Sequence, residues 1–150
     1  MSAGVSRFRS KWHAWRALPW RERRLLPRLV LWLALVELGL RFVGYARLRA
    51  GCERLGGRGP FRAATPDDLA GAHRLAELAA IAGRRGPRAA TCLRQALVVG
   101  TLLRRQGLDA QLRIGVQPDA ERFGAHAWVE LGGVALGPQG AAFAPLHPVA

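Results

Sequence analysis

Residues 91–97 read TCLRQAL and residues 124–130 read GAHAWVE, and these two stretches predict a helix and a strand that carry candidate catalytic residues. In the first, Thr91 can cap a helix that starts at Cys92. In the second, His126 lies in an alternating segment typical of a strand. Backbone N–H groups and the helix dipole stabilise a thiolate at a helix N-terminus, and an imidazole can accept or return its proton. Together the stretches predict an enzyme with a thiolate nucleophile.

A small antiparallel sheet is predicted after this helix. Gly107 closes the helix, and from Ala110 apolar and polar residues alternate as in a half-buried strand. A hairpin follows, in which Gly132-Gly133 can supply the positive φ angles of a two-residue turn between strands at 124–131 and 134–137. Residues 141–146 are predicted to add a last short strand.

Alternation along the histidine strand places His126, Trp128 and Glu130 on one face. Counting outward from the hairpin turn brings Gln139 opposite His126, where its side chain can accept the ring N–H and orient the imidazole. Pro138 cannot donate to a ladder and can bend the strand beside Gln139. The register count therefore makes Gln139 the candidate third residue of the site.

The first sixty-two residues differ from the remainder in charge and pattern. Residues 1–62 carry fourteen Lys and Arg against three acids, a net charge of +11, whereas residues 63–150 carry +2. An apolar helix starts near Glu22 with Pro27 in an early turn, and its middle turns are apolar nearly all round. This pattern favours burial against the rest of the chain, a partner protein or a bilayer surface.

The boundary between two parts of the chain follows from local signals. The glycines at 51–59 predict a flexible break, and Thr65 then caps a second helix that stops at residues 83–87. We therefore predict a basic, Trp-rich helical extension and linker over residues 1–62 and a folded core over residues 63–150.

Composition disfavours several other kinds of protein and site. Arg28, Glu37 and Arg41 interrupt the apolar helix, so no transmembrane span is expected. No export signal is visible, which predicts a cytoplasmic protein. Cys52 and Cys92 lie forty positions apart without a CxxC or a Cys/His cluster, so neither a disulfide framework, a metal site nor a cofactor is predicted. The basic excess lacks a nucleic-acid-binding signature, and no nucleic-acid partner is expected.

Four blocks, in order along the chain, resemble the transglutaminase-like leader peptidases of lasso-peptide biosynthesis. They read TCLRQAL at 91–97, LLRRQGL at 102–108, LRIGV at 112–116 and AHAWVE at 125–130. The resemblance is strongest over about residues 65–146. It implies an α+β fold with a transglutaminase/papain-like core, in which a catalytic cysteine at a helix N-terminus packs on a small antiparallel sheet. The helical extension precedes this core.

The resemblance also implies a reaction and the residues that perform it. A cysteine protease of this type removes the leader from a ribosomally made precursor peptide, with Cys92 as nucleophile and His126 as base. Family members usually carry an Asp as third catalytic residue after the histidine strand, where this chain has Gln139. Gln139 is the candidate substitute and Glu130 a weaker one, while Trp128 is assigned to the wall of the substrate pocket.

The resemblance also implies partner proteins. Some members are fused to a small winged-helix leader-recognition module, but residues 1–62 show no strand pattern. The resemblance therefore implies a separate leader-recognition protein, together with an ATP-dependent macrolactam synthetase that receives the processed peptide.

Two alternative functions stay open. The missing Asp favours a catalytically weak or inactive peptide-binding member of the same fold, and the +11 extension favours a basic membrane-surface or nucleic-acid-binding protein.

Overall fold

A computed structural model describes residues 18–84, 91–117, 124–137 and 144–145. Within these ranges the chain forms four helices and four strands. The helices are α1 (Trp20–Phe42), α2 (Tyr45–Gly56), α3 (Pro66–Gly83) and α4 (Cys92–Arg105). The strands are β1 (Ala110–Gln117), β2 (Gly124–Leu131), β3 (Val134–Ala135) and β4 (Ala144–Pro145).

Helix α4 lies at the centre of the fold and contacts the other three helices and the sheet. Its buried apolar residues include Val98 and Leu103, which are among the most deeply buried side chains of the core. The sheet has the strand order β3-β2-β1-β4, and each neighbouring pair is antiparallel. Val129 of β2 lies against Gly100 of α4, so the sheet packs directly on this helix. The predicted α+β class is confirmed.

The start of α3 confirms the predicted cap. The Thr65 hydroxyl accepts a hydrogen bond from the Asp68 backbone N–H, and the Asp68 carboxylate accepts one from the Thr65 backbone N–H. Pro66 occupies the first helical position, where the missing N–H costs nothing. Arg62 also donates to Asp68, and these hydrogen bonds hold the pKa of the carboxyl well below its usual range.

The hairpin also forms at the predicted place. Gly132 and Gly133 have φ angles of 59° and 79°, and Leu131 pairs with Val134. The second strand is shorter than predicted, because β3 ends at Ala135 instead of extending to residue 137. Strand β4 pairs with the far end of β1 and confirms part of the predicted last strand at residues 141–146.

The extension departs from the sequence expectation in two ways. Helix α1 begins at Trp20, so Pro27 lies in its interior and not in an early turn. The predicted flexible break at residues 51–59 is wrong in its first half, because α2 continues to Gly56. Helix α2 buries Cys52 against the core, and that packing outweighs the low helix propensity of Gly51.

One face of α1 belongs to the same hydrophobic core as α3 and α4. This face consists of Leu26, Leu29, Leu33 and Val36, all buried. The division between residues 1–62 and 63–150 rests on charge and sequence pattern and stays a prediction. The apolar core includes residues from both parts. Among the described residues, no helix has both the length and the apolarity needed to cross a membrane.

Two ion pairs join α1 to the helices behind it. Glu22 near the start of α1 receives two hydrogen bonds from Arg74 of α3, at 2.8 and 2.9 Å. Glu37 pairs with Arg94 of α4 at 2.6 Å, and the Arg94 side chain is 9% exposed. Burial of a guanidinium is costly unless a counter-charge and hydrogen bonds compensate it, so the orientation of α1 on α4 depends on Glu37.

Replacement of Glu37 tests this dependence. We expect Glu37→Gln to lower the free energy of unfolding by about 1–3 kcal/mol, because the buried Arg94 charge loses part of its compensation. Glu53→Gln is the matched control: it removes the partner of Arg49 in an exposed pair and is expected to cost less than about 1 kcal/mol. Urea unfolding followed by tryptophan fluorescence measures both, and equal losses would contradict the assignment.

Candidate active site

A cavity of about 330 Å³ lies between α3, α4 and β2, and both the predicted nucleophile and the predicted base line it. Cys92 lines it from the start of α4, and His126 lines it from β2. The structure therefore brings the predicted nucleophile and base to one cavity, although they are 34 positions apart in the chain. The remaining wall is mostly apolar, with polar side chains from Arg84 and Gln95.

Cys92 is the first residue of α4, as the sequence predicts. Thr91 precedes it in extended conformation, but its hydroxyl makes no capping hydrogen bond to the backbone, so the predicted side-chain cap is wrong. Instead the hydroxyl lies 3.5 Å from the Nε of Arg94. The first-turn N–H groups of a helix have no intrahelical acceptors, and these donors favour a negative charge beside Cys92. The thiol itself is half-buried and free.

Arg94 ties the start of α4 to the extension. Its guanidinium lies near the Thr91 hydroxyl, directly before Cys92, and pairs with Glu37 of α1. Sequence analysis missed this link, because Glu37 and Arg94 are 57 positions apart and no local spacing marks the pair. The first turn of α4, which begins with the candidate nucleophile, thus contacts a residue outside the 63–150 segment.

His126 is half-buried on β2, opposite Gly115 of β1. Its ring stacks on Trp128, with ring centroids 6.1 Å apart and ring planes 15° from parallel. Burial lowers the pKa of His126 below its ordinary value of 6.5, because removal of water disfavours the charged imidazolium. At neutral pH the ring is accordingly in the neutral form, which is the form that can accept a proton.

Polar contacts continue along β2 from His126, on the face of the sheet that carries its side chain. The indole N–H of Trp128 donates to Glu130 Oε1 at 3.3 Å, and Arg113 donates to Glu130 Oε2 at 2.9 Å. Arg113 lies directly opposite Trp128 on the neighbouring strand. The predicted shared face of His126, Trp128 and Glu130 is confirmed. Sequence analysis missed Arg113, although its cross-strand position on a face carrying Glu130 is a signal that could have found it.

The structure describes one of the two candidates for the third catalytic residue, Glu130. Gln139 lies outside the described residues, so its place opposite His126 stays a prediction. Glu130 is described, and both of its carboxylate oxygens are engaged by Trp128 and Arg113. It thereby holds the indole that stacks on His126, which makes Glu130 a positioning residue in this arrangement. Trp128 lines the cavity, as expected of a pocket wall.

A second cavity, of about 470 Å³, lies between α2, α4 and β1. Cys52 and Tyr45 line it, but none of its described lining residues is a histidine that could serve a thiolate. Among the described residues, no three His, Cys, Asp or Glu side chains are grouped so as to hold a metal ion. The cavity of Cys92 and His126 is therefore the candidate active site.

Comparison with known proteins identifies one family. A family model described as the Transglutaminase-like superfamily matches residues 31–147, which include α2 to α4, the described strands and the second half of α1. Both Cys92 and His126 fall within the matched region. Searches of curated proteins and of solved structures gave no match.

The titration of His126 tests its burial. We expect the ring protons of His126 to titrate in NMR spectra with a midpoint below 6.5, because the folded environment disfavours the imidazolium. The same chain in concentrated urea is the control, and there the midpoint should rise to the ordinary value as water returns to the ring. A folded-state midpoint equal to or above the urea value would contradict the assignment.

Proposed function

The chain belongs to the transglutaminase-like superfamily, and from this premise we propose that it is a cysteine peptidase with Cys92 as nucleophile and His126 as general base and acid. One observation carries the proposal: the first residue of α4 and a histidine of β2 line the same cavity. A helix N-terminus favours the thiolate, and a neutral imidazole favours its formation.

The proposed reaction is hydrolysis of a peptide bond in two steps. His126 accepts the thiol proton, and Cys92 Sγ attacks the carbonyl carbon, so that an S–C bond forms. The C–N bond then breaks, and the imidazolium gives its proton to the leaving amine. In the second step the imidazole deprotonates a water molecule, which adds to the thioester carbon. The S–C bond then breaks to release the carboxylic acid product, and the imidazolium returns its proton to Cys92 Sγ. First-turn N–H groups of α4 are suited to stabilise the oxyanion in both steps.

Positioning of the imidazole is assigned to three residues. Trp128 stacks on the ring, and Glu130 holds the indole N–H. Gln139 is proposed to accept the second ring N–H in place of the Asp usual in the resembled peptidases. An amide oxygen stabilises an imidazolium less than a carboxylate does, so a slower reaction is expected than with Asp at that place.

The proposed substrate is a ribosomally made precursor peptide, and the proposed product is its core segment with a free N-terminus. The support is the ordered set of sequence blocks that resemble lasso-peptide leader peptidases, together with a cavity whose wall is mainly apolar. We further propose that a separate protein presents the leader in the cytoplasm. An ATP-dependent macrolactam synthetase would then receive the freed core.

Mass spectrometry of a candidate precursor peptide, chosen from a neighbouring reading frame, tests the proposal. Incubation with the wild-type protein and the leader-recognition protein should yield two fragments that meet at one defined bond. Cys92→Ala should reduce the rate by at least about a thousandfold, because no other group supplies the attacking sulfur. Cys52→Ala is the matched control, since Cys52 is buried away from this cavity, and it should retain processing. Unchanged processing by Cys92→Ala would overturn the mechanism.

A further inference from the structure

Helix α1 has two apolar faces, and only one of them is buried. The buried face packs on the core, as described above. The opposite face carries apolar side chains at spacings of three or four residues, each at least half exposed: Leu31, Leu35, Leu38 and Phe42. Trp20 lies on the same side near the helix start and is also exposed. We call these five residues the outer stripe.

Arginine side chains lie beside the outer stripe, whereas the two acidic side chains of α1 lie on its inner side. Arg24, Arg28 and Arg41 are exposed along the helix. The Arg24 guanidinium lies over the Trp20 ring, 3.7 Å from its centroid. The two acids of α1 are bound on the inner side, Glu22 to Arg74 and Glu37 to Arg94. The outward side of α1 is therefore apolar along its centre and positive at its borders.

We propose that the outer stripe binds the surface of an anionic lipid bilayer, with α1 lying in the plane of the interface. Helices that bind in this way combine an apolar stripe with flanking Arg or Lys and aromatic residues. From Leu31 to Phe42 the stripe is about 16 Å long at 1.5 Å per residue, enough to insert four side chains side by side. The membrane is favoured over a protein partner by charge, because residues 1–62 carry +11.

This role is independent of the proposed peptidase activity. The outer stripe lies on the side of α1 opposite its contacts with α3 and α4, whereas the candidate active site lies between α3, α4 and β2. Binding at the stripe leaves the cavity open, and it would confine the chain to a surface without a membrane span.

Sedimentation with lipid vesicles tests the proposal on the full chain. Vesicles of phosphatidylcholine are compared with vesicles containing one third phosphatidylglycerol. Leu35→Glu places a charge in the outer stripe, and Val134→Glu is the matched control, because Val134 is an exposed apolar residue in the hairpin. Circular dichroism establishes that both variants remain folded, since both substitutions are at exposed positions.

We expect the wild-type chain to bind anionic vesicles at least tenfold more tightly than neutral ones and to be released by added salt. Leu35→Glu should weaken that binding at least tenfold, and Val134→Glu less than threefold. Arg28→Gln should weaken it by about fivefold. The proposal is overturned if neither vesicle binds, if Leu35→Glu binds as tightly as Val134→Glu, or if light scattering shows that the stripe pairs two copies of the chain.

Discussion

The ion pair between Glu37 and Arg94 joins helix α1 to the first turn of the helix that begins at Cys92. Arg94 stands two residues after Cys92, its side chain is 9% exposed, and Glu37 lies 2.6 Å away on α1. A guanidinium at this depth is costly unless counter-charges and hydrogen bonds compensate it, so the pair favours the observed contact between α1 and the first turn of α4. The basic extension is thus part of the framework that places the candidate nucleophile.

Different features of the structure act on His126 and on Cys92. Around His126 it removes water and lowers the pKa, which keeps the imidazole neutral and able to accept a proton. At Cys92 the helix start supplies N–H donors that replace water around a thiolate. The neutral imidazole can therefore accept the thiol proton during the reaction, and the first-turn N–H groups are suited to stabilise the sulfur anion that forms. Trp128, held by Glu130, keeps the ring in place through stacking.

Local signals predicted the elements that depend on local interactions. The helix cap at Thr65, the first helical position of Cys92 and the two-glycine hairpin all rest on residues close together in sequence, and all are present. Helix α2 was missed because Gly51 and Gly56 lower helix propensity, whereas burial of Cys52 and an ion pair between Arg49 and Glu53 stabilise the helix. The Glu37–Arg94 pair was beyond prediction, because it joins elements 57 positions apart.

The most direct test of the account is the rate at which iodoacetamide alkylates Cys92 at neutral pH, read by peptide mass spectrometry in the wild-type chain and in His126→Ala. Thiolate reacts and thiol does not, so the rate reports whether the imidazole takes the proton from sulfur. The account predicts that wild-type Cys92 reacts faster than glutathione and that loss of His126 slows the reaction at least tenfold. Equal rates in the two proteins would show that the histidine does not act on the thiol.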